Sequence, residues 1–181
     1  MLDIKKRQLK QFLGSICLAA CISCMQVLKP AFAEEKSPFD VLQGEYLGSL
    51  KLDTALSKVK LPTACKHPVK EKEIIWGADG VWHQNWVYKS CGLTLGLWRE
   101  HQKATQTIFS LRITSPSQLK TKRGIGIGST AQAVLKAYAK EYNPEESQKN
   151  QTIVVGSVYG GLIFTLKNGK VNEIFMGAAA E

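Results

Sequence analysis

The sequence predicts an α+β fold: two α-plus-antiparallel-sheet repeats packed as one unit. Three observations lead there. Strand-length apolar runs follow one another closely, separated by Gly, Asn, Asp and Ser. Each half opens with a helix-start signal. The apolar words of the halves also align, with Leu50, Leu52 and Val59 matching Ile125, Ile127 and Val134 at an offset of 75. Gly92-Leu93-Thr94-Leu95 likewise matches Gly161-Leu162-Ile163-Phe164 at an offset of 69, and residues 107–113 match 170–176. Such a local antiparallel order, with helices on one face, is the α+β arrangement. The expected division is a signal peptide at 1–33, a flexible segment at 34–45, repeat 1 at 46–115 and repeat 2 at 116–177.

The chain begins with a basic stretch, Lys5-Lys6-Arg7-Gln8-Leu9-Lys10, followed by an apolar run over residues 12–28. Pro30-Ala31-Phe32-Ala33 then presents small residues at the positions a signal peptidase reads, so cleavage is expected between Ala33 and Glu34. Two alternatives stand beside it. The run could remain as an N-terminal anchor, or Leu18-Ala19-Ala20-Cys21 could serve as a bacterial lipobox, with a lipid anchor on Cys21. The expected location is periplasmic or secreted; the lipobox would make the chain an outer-membrane lipoprotein. The net charge of +9 over 181 residues falls to +5 after the signal. No later apolar run is long enough to span a membrane.

Of five cysteines, Cys17, Cys21 and Cys24 lie in the signal, leaving Cys65 and Cys91. An even pair in an oxidising compartment suggests a Cys65–Cys91 bridge. Two buried thiols, or a metal pair with His67, are the alternatives. Cys65-Lys66-His67 is one residue too tight for common zinc spacings, so neither metal nor cofactor is expected.

In repeat 1, Asp53-Thr54 starts a short helix expected over 55–60 that stops at Pro62, and strands are expected over 73–76, 81–88, 93–98 and 107–114. In repeat 2, Ser129 and Gln132 form a capping-box pattern. Ala131, Val134, Leu135, Tyr138 and Tyr142 then share one helix face, which Asn143-Pro144 ends. Strands follow over 152–159, 162–167 and 171–176, with Asn168-Gly169 as a type I′ hairpin turn.

The Ile125-to-Val134 start, "I-x-I-G-S-T-x-x-x-V", followed by a helix and strands ending in "G-K-V-x-x-I" (Gly169 to Ile174), resembles the tandem repeat of β-lactamase inhibitory protein-like domains. It is also similar to the small lipoprotein of the outer-membrane barrel-assembly machinery. The resemblance covers about residues 46–177 and consists of glycines and apolar positions. It implies a largely non-enzymatic envelope protein that binds other proteins through an exposed sheet, and it transfers no binding residue.

Trp76, Trp82, Trp86 and Trp98 lie close together in sequence. Alternation places Trp82, Gln84, Trp86 and Tyr88 on one strand face and His83, Asn85 and Val87 on the other. Trp82, Trp86 and Tyr88 are therefore either core residues or the candidate anchors of a binding platform, because indoles and phenols bury much area at low entropic cost. The implied partner is an envelope protein or a secreted enzyme, with a cell-wall glycan as the alternative. Nucleic acid is not an expected partner. Catalytic residues are not expected either. Gly124, Gly126 and Gly128 lack phosphate-loop spacing, Ser157 is out of step with a nucleophile elbow, and His67, His83 and His101 show no metal spacing.

Overall fold

The structure, a computed structural model, describes residues 41–179. The expected signal at 1–33, the Cys21 lipid site and residues 34–40 lie outside the described residues. No described helix is long and apolar enough to cross a membrane.

Among the described residues, nine strands and one α-helix follow in chain order: β1 (Val69–Lys70), β2 (Ile74–Ile75), β3 (Trp82–Tyr88), β4 (Leu93–Arg99), β5 (Thr107–Thr114), α1 (Ala131–Ala137), β6 (Tyr142–Gln148), β7 (Thr152–Ser157), β8 (Gly160–Lys167) and β9 (Lys170–Gly177). All pairings are antiparallel, and the order is β1-β3-β4-β5-β9-β8-β7-β6, with β2 also bonded to β3. Among the described residues the fold is thus dominated by one antiparallel sheet with a single α-helix. At the centre, β5 meets β9 with Leu111 opposite Met176, Arg112 opposite Phe175, Ile113 opposite Ile174 and Thr114 opposite Glu173.

The helix expected at 55–60 is a single 3-10 turn, Leu56–Lys58. The Thr54 carbonyl, which a helix starting there would use as its first acceptor, accepts instead from Ile108 N–H at 3.1 Å, and Leu56 N–H donates to the Gln106 carbonyl at 2.8 Å. The segment is therefore laced along the entry to β5, and Pro62 leaves no room for another turn.

The second helix is also shorter than its apolar periodicity suggests. Thr130 is the N-cap, its hydroxyl accepting from Ala133 N–H at 3.1 Å, whereas the Ser129 hydroxyl accepts from Gly126 N–H and closes the preceding turn. Tyr142, expected on the helix, opens β6 opposite Val155. Pro144 sits inside this strand because β6 is an edge, where a missing N–H costs no ladder bond. The Asn168-Gly169 turn has φ of 54° and 72°, the two positive values that a type I′ hairpin requires.

One face of the sheet carries the core. Leu93, Leu95 and Leu97 of β4, Leu111 and Ile113 of β5, Ile174 and Met176 of β9, and Leu162 and Phe164 of β8 lie in a single buried cluster. Val134 and Tyr138 from the helix region and Leu47, Leu50 and Ile125 from the connections join it, as do Tyr88, Ile108, Ile153 and Val155. Each such aliphatic side chain contributes roughly 1.5–3 kcal/mol by leaving water, before chain entropy opposes it.

Cys65 and Cys91 are bonded, with an S–S distance of 2.05 Å and Cα atoms 5.1 Å apart. The bridge ties the loop after Pro62 to the turn that ends β3. Gly92 follows at φ 60°, and a Cβ there would lie 2.2 Å from the Thr114 carbonyl oxygen, so only glycine lets this turn approach β5. Replacing both Cys65 and Cys91 by Ser is expected to lower unfolding free energy by about 3–4 kcal/mol, from the loop-closure entropy of the 26-residue separation. Chemical denaturation of the two forms checks this; equal midpoints would contradict it.

Candidate functional site

β3 alternates as its sequence suggests, and its two faces have different fates. Trp82, Gln84, Trp86 and Tyr88 lie on the core side, where Trp86 and Tyr88 meet Leu95 and Leu93 across the ladder. Tyr88 is 3 % exposed and belongs to the core, so its ring is not a free anchor. Burial also raises its hydroxyl above the ordinary 10.0. Trp86 is half-buried against the same cluster. Its indole N–H donates to Gln84 Oε1 at 2.9 Å, and that oxygen also accepts from Gln106 Nε2 at 2.9 Å. The Lys70 ammonium lies 3.9 Å from the Trp86 ring centroid. Trp82 is partly exposed, opposite Ile75 and Arg99. Arg99 forks onto the Glu73 carboxylate and donates to the Gln102 carbonyl. Leu56, Val59, Leu61, Trp86, Tyr88 and Ala104 wall an open cleft of ≈ 460 Å³ on this side of β3.

The opposite face carries a different aromatic set. The Trp76 and His83 rings stack at 3.6 Å and 6°, and Phe109 packs edge-on against both, at 5.5 and 4.8 Å. The turn at residues 77–80 folds Trp76 back over the sheet. Asp79 accepts from Val81 N–H at 3.0 Å and from His83 Nε2 at 2.7 Å. These bonds, the backbone one first, hold the Asp79 carboxyl below its ordinary 3.8. Trp98 stands opposite His83 on β4. Further across, the Arg112 guanidinium lies 5.3 Å from the Phe175 ring centroid and pairs with Glu173 at 2.9 Å. Val69 and Ile74 are about half exposed at the rim. The buried side chain of α1, Val134, belongs to the core cluster, so α1 packs on the other side of the sheet.

A third cluster joins distant parts of the chain. Glu45 is 4 % exposed, and its carboxylate accepts from Lys122 N–H at 2.7 Å, Tyr46 N–H at 3.1 Å and the Tyr138 hydroxyl at 3.1 Å. Burial, as the largest cause, pushes the Tyr138 hydroxyl far above its ordinary 10.0, which keeps it protonated and donating. The Arg123 guanidinium lies 4.5 Å from the Tyr138 ring centroid, forks onto Glu141 at 2.8 and 2.9 Å, and donates to the Ala137 carbonyl at the end of α1. This clamp fastens residues 41–50 and the connection before α1 to the helix.

Among the described residues, no group of three His, Cys, Asp or Glu side chains is placed to hold a metal ion. No protein-family model, no curated protein and no solved structure matches the chain. Alternation on β3 correctly separates the two faces, and it places Arg112 and Phe175 opposite the core as well, but Phe109 escapes it. The register of β4 with β5 shifts between Gly96 and Leu97: Leu97 faces Ile108 and Gly96 faces Ser110, leaving Phe109 as the extra residue of a bulge. A run of alternate residues from Thr107 would place Phe109 with Leu111 in the core. The bulge turns it to the other face.

Tyr138→Phe removes one donor from a buried carboxylate. It is expected to cost about 1–3 kcal/mol in urea unfolding, whereas Tyr159→Phe, at a 61 % exposed position, is expected to change little. Equal effects would contradict the clamp.

Proposed function

We propose that the chain is an exported bacterial envelope protein that acts by binding another protein through the sheet face opposite its core. On this reading it is an inhibitor or a scaffold and carries out no reaction. The observation that carries the reading is the asymmetry of the sheet. One face buries Leu95, Leu111, Met176 and the helix; the other presents Trp98, Phe109 and Arg112, with Phe175 buried beside the Arg112 guanidinium, and has no α-helix over it among the described residues. Aromatic side chains beside an arginine are the residue types that dominate protein–protein hot spots. The stacked Trp76–His83–Phe109 group stiffens this face, so little side-chain entropy is lost on docking.

The strand order supports the two-repeat reading. Outward from the centre, β5-β4-β3 on one side mirrors β9-β8-β7 on the other, and the 3-10 turn and α1 occupy matching places ahead of each set. Export is supported by the basic and apolar start of the chain and by the disulfide, which suits an oxidising compartment.

Photo-crosslinking tests the binding face. A benzophenone amino acid in place of Arg112 is expected to trap one defined envelope protein or secreted enzyme, and Trp98→Ala in the same chain is expected to abolish the adduct without lowering the melting temperature. The same probe in place of Lys136, on the outer surface of α1, is expected to trap nothing specific. Equal labelling from both positions, or pelleting with purified cell-wall polymer in place of protein capture, would overturn the reading.

A further inference from the structure

The cleft walled by Trp86 is separate from the face assigned above, and no step of that reading uses it. We propose that it binds a small apolar molecule bearing a carboxylate, of the size and chemistry of a medium-chain fatty acid. Its volume of ≈ 460 Å³ is in the range of small-molecule sites, roughly 300–1,000 Å³. Leu56, Val59, Leu61 and Ala104 supply aliphatic wall, and the indole of Trp86 supplies a broad flat one. An acyl chain is the ligand that such a lining desolvates at least polar cost.

Two polar groups, one lining the cleft and one lying against the ring of its Trp86 wall, are open to a ligand. Tyr88 lines it and is 3 % exposed, yet its hydroxyl meets no hydrogen-bond partner among the described residues. Among the described residues the buried side-chain polar atom left without a partner is His83 Nδ1, so the Tyr88 hydroxyl still reaches solvent and is free to bond an oxygen supplied by something bound in the cleft. Lys70 is the second. Its ammonium lies against the Trp86 ring, and among the described residues it pairs with no carboxylate. The nearby Arg99 is different: it lines the same cleft but is already neutralised by Glu73. The local charge still open to an anion is therefore the lysine next to the aromatic wall. An ammonium held on an indole keeps its remaining N–H bonds directed outward, and a carboxylate is a stronger partner for it than water.

The wall is also held ready. Gln84 Oε1 accepts from both the Trp86 indole and Gln106, and Gln84 Nε2 donates to the Glu71 carbonyl at 2.9 Å, so the indole is fixed before any ligand arrives. A pre-set wall lowers the ordering cost of binding.

Titration of the purified protein with decanoate, below the concentration at which it forms micelles, tests the proposal by calorimetry and tryptophan fluorescence. Saturable one-to-one binding is expected. Decanol is expected to bind more weakly and decylamine more weakly still. Tyr88→Phe should weaken decanoate about fivefold, the worth of one hydrogen bond. Lys70→Gln should remove the preference for decanoate over decanol. Val59→Trp, which fills the cleft from its half-exposed side, should abolish binding while the melting temperature holds. Failure of decanoate to saturate, unchanged affinity in Val59→Trp, or equal affinity for decanol and decanoate in the unaltered protein would each overturn the proposal. None of these results bears on the opposite sheet face, whose partner is tested by crosslinking from Arg112.

Discussion

The pairing of β5 with β9 is the constraint on which the rest of the architecture depends. Those strands are far apart in the chain, yet Leu111 to Thr114 lie against Glu173 to Met176 at the middle of the sheet. Without that ladder, two short antiparallel sets would each have to bury an apolar face alone. With it, Leu95, Leu111, Met176 and Leu162 line up across four strands and form one core. Because side chains alternate across a strand, the same register that aligns these residues also sends Arg112 and Phe175 together to the other side. A single-residue slip would exchange the two sets, so core stability and the identity of the open face are specified by one and the same interaction.

Around this seam the chain controls its ends. On one edge, β1 and β2 are two residues each, separated by the charged run Glu71-Lys72-Glu73. On the other, β6 contains Pro144 and a register shift between Asn143 and Gln148. Short strands, charge, proline and irregularity all discourage sheet-to-sheet addition along the edges. Both edges of the described sheet therefore offer little regular, unpaired backbone for another strand to join.

Much of this architecture was legible in the residues, for identifiable reasons. Strands β4, β5, β8 and β9 announce themselves through apolar runs bounded by Gly92, Gly161 and the Asn168-Gly169 turn, where local chemistry and final structure agree. Cys65 and Cys91, expected to bridge, are bonded. The errors arise where distant contacts prevail over local preference. Residues 55–60 follow a helix-start signal, but Ile108 N–H takes the Thr54 carbonyl and the Gln106 carbonyl takes Leu56 N–H, which ties the segment to the entry of β5. Tyr142 continues the apolar helix stripe, but an edge position beside Val155 takes it. The candidate anchors show the same division. Alternation places Trp82, Trp86 and Tyr88 together, but which face would be covered depends on where residues 41–61 pack, and no local pattern reveals that. The bulge that turns Phe109 outward depends on how β4 meets β5 and is invisible in either strand alone.

The polar clamp and the disulfide have complementary places in this scheme. Glu45, Tyr138 and Arg123 fasten residues 41–50 to α1, while Cys65–Cys91 fastens the loop beside β3. Both hold peripheral segments onto a sheet whose integrity is decided at its centre. Amide hydrogen exchange tests that central claim most directly. The amides bonded across the β5–β9 ladder, within residues 111–114 and 173–176, are expected to exchange only through global unfolding, as slowly as any in the protein. Exchange there as fast as in β6, with the two halves protected independently, would contradict a single sheet built outward from this seam.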